Sequence, residues 1–192
     1  MIRVRERLPI AGLLTKAFRT ASGLLWLPRT GIVDPSRNVL ALLRRPDGTA
    51  LLYAAANIVT DAGDIYFAER AAGESPTNAF TAWEMYSAGT PGKAADRSDF
   101  TPIGSSVQAQ DGGYPQTDDA DSDNTGADVN VRTSRVSYTA SSWSGTATHG
   151  GITNTTPGAS EPMLAGWEWD DPIVKTLSDT LKAFHNVAVV GV

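Results

Sequence analysis

From residue 39 onward the chain is a succession of short apolar runs, each cut off by turn residues before a helix could establish itself. Residues 39–43 and 51–55 are two such runs, separated by Arg44-Arg45-Pro46-Asp47-Gly48. Proline presets the first dihedral of a turn and glycine accepts a positive φ, so Pro-Asp-Gly between apolar runs predicts a β-hairpin. Residues 57–60, a turn over Asp61-Ala62-Gly63-Asp64 and a strand over 65–69 repeat the device, which predicts a meander of three or four strands up to Arg70. Residues 71–78 read as loop. Residues 80–86 alternate between Phe80/Ala82/Glu84/Tyr86 and Trp83/Met85, a pattern suited to a strand covered on both faces.

Residues 87–128 are rich in Gly, Pro, Ser, Thr and Asp and poor in large apolar groups, which predicts one long polar loop. Strands resume at Val129, Val131 and Thr133, at Val136 and Tyr138, and over 152–155; two more, 164–169 and 173–177, flank Asp171-Pro172. Residues 180–192 form an almost continuous β-branched and apolar run, expected to be a buried terminal strand. There is almost no helical pattern after residue 22 and no fixed-period repeat. The predicted fold is therefore all-β, a β-sandwich or jelly roll over 39–192 with a long loop at about 87–128, preceded by an extended amino-terminal arm over 1–38.

Composition narrows the function classes. The chain has 192 residues and no cysteine, so a disulfide framework, a Cys-based zinc or iron–sulfur site and a thiol nucleophile are all excluded. A chain of this length buries roughly 70% of its unfolded surface, enough for one core without staples. His149 and His185 are the only histidines, which excludes a three-histidine metal site. The apolar runs fall well short of the roughly 20 residues that span a bilayer as a helix, and no membrane partner is expected.

The net charge of −5 conceals a split. Residues 1–45 hold nine basic side chains against Glu6 and Asp34, a balance of +7, which leaves −12 for the remainder. Such an asymmetry predicts an arm that docks on an acidic surface or on a neighbouring copy of the chain. Nucleic acid is disfavoured, because the arginines are interleaved with apolar residues and the acidic body repels phosphates. Lys16 and Arg19 interrupt any secretory h-region. Ile10, Leu13, Leu14, Ala17 and Phe18 fit a short amphipathic helix, and Leu24, Leu25, Trp26 and Leu27 make a concentrated apolar patch suited to packing on another surface.

Candidate chemistry is sparse. Gly89-Thr90-Pro91-Gly92-Lys93 has neither the spacing nor the following Ser or Thr of a phosphate-binding loop and reads as a Pro-Gly turn. Asp119, Asp121 and Asp123 present alternating carboxylates of the kind calcium prefers, yet Asn124 and Asn130 stand where an EF-hand loop needs Gly and Glu. A solvated acidic loop is the simpler reading. Ser142 to Gly145 lacks a nucleophile elbow, His149 before Gly150-Gly151 reads as a turn residue, and His185 as a satisfied or edge histidine of the terminal strand. No pair of carboxylates is singled out for catalysis, so no catalytic, cofactor-binding or metal residue is assigned and the chain is read as no enzyme. Trp167 and Trp169 share one strand face and suit a core; were they or Trp143 exposed, sugar stacking would be the alternative.

Several phrases together carry a resemblance: NIVTDAGDIY at 57–66, ESPT at 74–77, AGTPGKAADRSD at 88–99, PGASEP at 157–162, DTLKAF at 179–184 and the closing Gly191-Val192. Over roughly residues 50–192 the chain resembles small structural proteins of tailed bacteriophage particles. The resemblance implies a β-sandwich building block used in many symmetric copies within the virion. A capsid decoration or cement protein is the leading expectation, with other copies of itself and the major capsid protein as partners. A neck, tail or fibre component, or a host-surface carbohydrate-binding module, is the alternative.

Overall fold

The computed structural model describes residues 38–111, 129–155, 158 and 160–190, together with four short strands before residue 33. The fold is all-β with one helix. In chain order the strands are β1 (Ile2–Arg5), β2 (Phe18–Arg19), β3 (Leu25–Leu27), β4 (Gly31–Ile32), β5 (Val39–Arg44), β6 (Thr49–Val59), β7 (Ala82–Gly89), β8 (Phe100–Pro102), β9 (Gln108–Ala109), β10 (Val129–Tyr138), β11 (Gly145–Thr153), β12 (Ala165–Lys175) and β13 (Thr180–Val190). Helix α1 (Asp61–Ala71) follows β6. The main sheet is antiparallel throughout and runs β10-β13-β5-β6-β12-β11-β7-β8, with β9 beside β8 on the far edge of β7. Strands β2, β3 and β4 pair separately.

The sheet curls until its ends meet. Asp111 N–H donates to the Arg135 carbonyl at 2.9 Å. Ser134 Oγ donates to Gln110 Oε1 at 2.6 Å, and Trp83 Nε1 donates to Ser134 Oγ at 3.0 Å. These contacts join the segment after β9 to β10 and turn the sheet into a half-barrel with opposing walls around one core. That core is aromatic: Trp83, Trp143, Trp167 and Trp169 are all buried, and Trp83 meets Trp167 edge-on at 5.1 Å.

The hairpin expected at Pro46-Asp47-Gly48 joins β5 to β6. Gly48 takes φ +84°, its N–H donates to the Arg45 carbonyl, and Asp47 Oδ1 accepts from Thr49 N–H. The terminal run forms β13 between β10 and β5, inside the sheet as expected. Strand β7 is covered on both faces, with residues 82–86 all buried.

Four readings are corrected. The turn and strand expected over 61–69 are helix α1: Thr60 Oγ1 accepts from Gly63 N–H as its cap, and Asp61 and Asp64 favour the positive end of the helix dipole. Helix caps and turns draw on the same residue types, and no apolar stripe betrays the helix, since Ile65 is 54% exposed beside buried Tyr66. The loop expected over 87–128 begins as ordered chain, with β8, β9 and a 3-10 turn at Arg97–Asp99; its part after Asp111 lies outside the described residues. Asp171-Pro172 does not divide two strands, because β12 is continuous there. Its pairing with β6 stops at Trp169–Ala55, so Pro172 needs no partner on that edge.

Finally, His149-Gly150-Gly151 is not a turn but the middle of β11. Glycine is there for space: a Cβ at 150 would lie 2.7 Å from Trp167 Nε1, and one at 151 would lie 2.0 Å from Met163 Cε. Gly150→Ala should therefore destabilise the fold by about 1–3 kcal/mol as Trp167 is displaced. Gly92→Ala, with open space around it, should be neutral. Urea unfolding followed by tryptophan fluorescence compares the two, and equal stabilities would contradict this packing.

Candidate functional site

The outward face of β7 carries Glu84 and Tyr86, and both are buried, in keeping with a strand covered on both faces. Residues 91–103 fold back over them. Tyr86, Ala95, Phe100 and Met163 form a second small apolar cluster on this side. The covering segment is pinned by an Asp96–Pro162 bridge, by Arg97 N–H donating to the Glu161 carbonyl, and by a capping box in which Asp96 and Asp99 bond reciprocally around the 3-10 turn.

Beneath it lies an ion pair between buried Glu84 and half-buried Arg97. Arg97 Nε donates to Glu84 Oε2 at 2.7 Å and Nη2 to Oε1 at 3.0 Å. The Tyr86 hydroxyl adds a third bond to Oε2 at 2.9 Å, and Arg97 Nη1 reaches the Gly158 carbonyl at 3.1 Å. The bond from Glu84 holds the Arg97 guanidinium above its ordinary pKa. Burial first, then the neighbouring Glu84 charge, push the Tyr86 phenol far up. With both its oxygens occupied and no exposure, Glu84 acts as a clamp between covering segment and sheet.

Beside the clamp is an open polar cleft of about 480 Å³ lined by Thr77, Asn78, Thr81, Asn154, Thr155 and Glu161. Asn154 Nδ2 donates to Glu161 Oε2 at 3.0 Å, fixing one wall. The cleft offers hydroxyl and amide groups for hydrogen bonding and one carboxylate. Sequence reasoning assigned no function to these residues, although Thr77 and Glu161 fall within the ESPT and PGASEP phrases: the walls come from stretches more than 70 positions apart, and nothing local says that they meet.

Two further ionisable groups sit in the interior. His185 stacks on Trp167, centroids 6.1 Å apart, and neither ring nitrogen has a hydrogen-bond partner. Burial alone pulls its pKa down to about 4. The expected satisfied or edge histidine is thus an unsatisfied interior one, because β13 lies between two strands and turns residue 185 inward. Lys175 is buried too; its Nζ donates to the carbonyls of Trp143 at 2.9 Å and Thr176 at 3.1 Å and lies 5.4 Å from the Trp143 ring centre. Burial lowers its pKa, against the opposing charge of Asp179.

The remaining sequence candidates separate. Trp143, Trp167 and Trp169 are core residues and present no stacking face, which removes the feature that favoured a sugar-binding module. His149 is buried in β11 beside Thr148 Oγ1, its pKa lowered by burial. Lys93 of the rejected phosphate loop pairs with Asp64. Asp119, Asp121 and Asp123 lie outside the described residues, as does the amphipathic helix suggested around 10–18 apart from Phe18, which is in β2. Among the described residues no three His, Asp or Glu side chains gather as a metal site. No known family, curated protein or solved structure matches the chain.

Two outcomes follow from these charges. Arg97→Met leaves Glu84 buried without its partner and should cost about 3–5 kcal/mol. Adding Glu84→Gln should recover much of that loss, because a neutral amide still accepts from Tyr86; a double variant no more stable than Arg97→Met would show the clamp is not electrostatic.

The second concerns pH. An unfolded histidine titrates near 6.5 and folded His185 near 4, so between these values the unfolded chain binds more protons. Stability should be complete above about pH 6.5, fall by roughly 3 kcal/mol as pH drops to about 4, and lose nothing further to this group below that. His149 adds to the same window. His185→Phe should flatten the slope of stability against pH in that range, and an unchanged slope would mean that the imidazole is hydrated.

Proposed function

We propose that the chain is a structural subunit of a tailed-bacteriophage particle, acting as a capsid decoration or cement protein in contact with other copies of itself and with the major capsid protein. The observation that carries this reading is the placement of the chain's first strand. Strand β12 pairs with β6 only over residues 55–59 of β6, which leaves the edge of residues 49–52 open. Strand β1 takes that edge, Ile2 opposite Leu52 and Arg5 opposite Thr49. An arm that joins a sheet through its main chain uses a contact that any copy can offer to any other, as in strand addition between subunits. Repeated around a closed ring, one such contact multiplies in strength.

Charge supports the same reading: a +7 segment attached to a −12 body favours contact between one copy's arm and another's surface. So does the bracing. The Glu84–Arg97 clamp and the half-barrel closure spend buried polar groups on rigidity, and a shell component under internal pressure needs a body that does not deform.

Quantitative mass spectrometry of purified particles tests the proposal, scaling this chain to the major capsid protein. A ratio near parity is expected. A small fixed fraction would move the chain to the neck, tail or fibre, and absence from the particle would overturn the virion reading. Light scattering of the purified full chain should give a closed oligomer, whereas a monomer at all concentrations would overturn the self-association.

A further inference from the structure

The open cleft beside the clamp forms where two neighbouring strands part. Strands β7 and β11 stay paired as far as Ala82 opposite Thr153. Beyond that pair the chain entering β7 and the chain leaving β11 separate, and Glu161 joins them in lining the gap. Both walls are held from behind. Thr77 gives its main-chain N–H and its hydroxyl to the two oxygens of Glu69, at 2.9 and 2.7 Å. Gln110 donates to the carbonyls of Phe80 and Thr81, each at 2.9 Å. On the other wall Asn154 is tied to Glu161 Oε2, and the Glu161 carbonyl accepts from Arg97 N–H of the covering segment at 2.9 Å. These bonds fix the frame and leave part of the lining uncommitted. Among the described residues the side chains of Asn78, Thr81 and Thr155 and the Glu161 oxygen Oε1 make no hydrogen bond, and Thr81 and Thr155 are exposed.

The chemistry of this lining selects its ligand. Among the described residues no Lys, Arg or His lines the cleft and Glu161 is negative, so an anion is repelled. A cation meets a single carboxylate, one oxygen of which is already bonded to the Asn154 amide, whereas calcium takes six or more oxygens, several of them charged. The apolar lining is Ala79, too small to anchor a hydrophobic group or a peptide side chain. A neutral, hydroxylated ligand meets none of these obstacles. Each of its hydroxyls can donate and accept at once, as can those of Thr81 and Thr155. The Asn78 amide offers both roles, and Glu161 Oε1 accepts strongly from a hydroxyl. The volume of about 480 Å³ lies within the range of small-molecule sites.

We infer that this cleft binds a neutral sugar, held by hydrogen bonds to Asn78, Thr81, Thr155 and Glu161. The site lies within one copy, so the inference stands apart from the virion reading. It also differs from stacking on exposed tryptophans. No ring lines the cleft, so affinity rests on hydrogen bonds in an open site and is low, with a Kd on the order of 1 mM.

The test is titration of the 15N-labelled full-length chain with glucose, galactose, mannose, rhamnose and N-acetylglucosamine, followed by 1H–15N correlation spectra. At least one sugar should give saturable shifts centred on residues 77–81, 154, 155 and 161. An epimer of that sugar should bind several-fold more weakly, because fixed donors and acceptors read the configuration of each hydroxyl. Thr81→Val, at an exposed position, should weaken binding about 3- to 10-fold, the loss of one neutral hydrogen bond. Thr101→Val, exposed on β8 outside the cleft, should leave it unchanged. No saturable shift with any of the five sugars overturns the inference. So do equal shifts with sorbitol, which mark a cosolvent effect, and tighter binding of calcium chloride at the same residues, which marks a cation site. Binding that survives Thr81→Val undiminished places the sugar elsewhere and overturns it too.

Discussion

The body depends on closing the curl. An antiparallel sheet of this length would otherwise end in two edges, β7 with its short partners and β10, each displaying unpaired main-chain groups. Among the described residues the join is made by a main-chain bond from Asp111 to Arg135, the Gln110–Ser134–Trp83 chain of side-chain bonds, and Ser137 Oγ donating to Asp111 at 2.6 Å. Gln110 also anchors the other side, its amide donating to the Phe80 carbonyl. Because the join is buried and polar, each donor lost leaves an acceptor without water to replace it. Closure is therefore cooperative, and the aromatic core is sealed only when it forms.

Within that frame, large side chains are matched by missing ones. Four tryptophans cannot fill one interior unless neighbouring strands yield space, and β11 yields it at Gly150 and Gly151. Gly63 does the same at the start of α1, where a Cβ would lie 2.1 Å from the Leu164 carbonyl. The helix can approach β12 because of that gap, and Thr60 fastens it there by donating its hydroxyl to the Met163 carbonyl. Ring and glycine thus form one packing unit drawn from distant parts of the chain.

This explains what could be read from the sequence and what could not. The β5–β6 hairpin and β13 were legible because alternation and turn chemistry are local, whereas β6 and β10, each read as two shorter strands, are continuous. The core role of Trp167 and Trp169 was legible from the apolar Met163 and Leu164 beside them, not from their shared strand face, which suits an exposed stacking surface equally well. Helix α1 was missed because a capping Thr followed by Asp and Gly is also turn chemistry, and its single buried aromatic, Tyr66, makes no period. Gly150 and Gly151 were misread for a related reason: glycine marks a turn locally, whereas here it answers to Trp167 and Met163. Glu84 and Arg97, thirteen positions apart, could not be paired without knowing that 91–103 folds back over β7.

That last pairing bears on how the buried charges of this protein should be understood. A buried carboxylate, a buried lysine and a buried imidazole would ordinarily suggest chemistry, since perturbed groups gather at reactive sites. Here they lie apart, and each has a mechanical setting. Glu84 is saturated by Arg97 and Tyr86 and holds the covering segment down. Lys175 ties the carbonyl of Trp143 to the end of β12, so its ammonium acts as a rivet between two loops at one end of the half-barrel. His185 alone has nothing to hold; its stacking on Trp167 fills space at the cost of two unmet nitrogens. Such a group makes the core sensitive to acid while adding little at neutral pH. As pH falls from about 6.5 towards 4, protonation of His185 therefore lowers folding stability, because the charged imidazole is favoured in the unfolded chain.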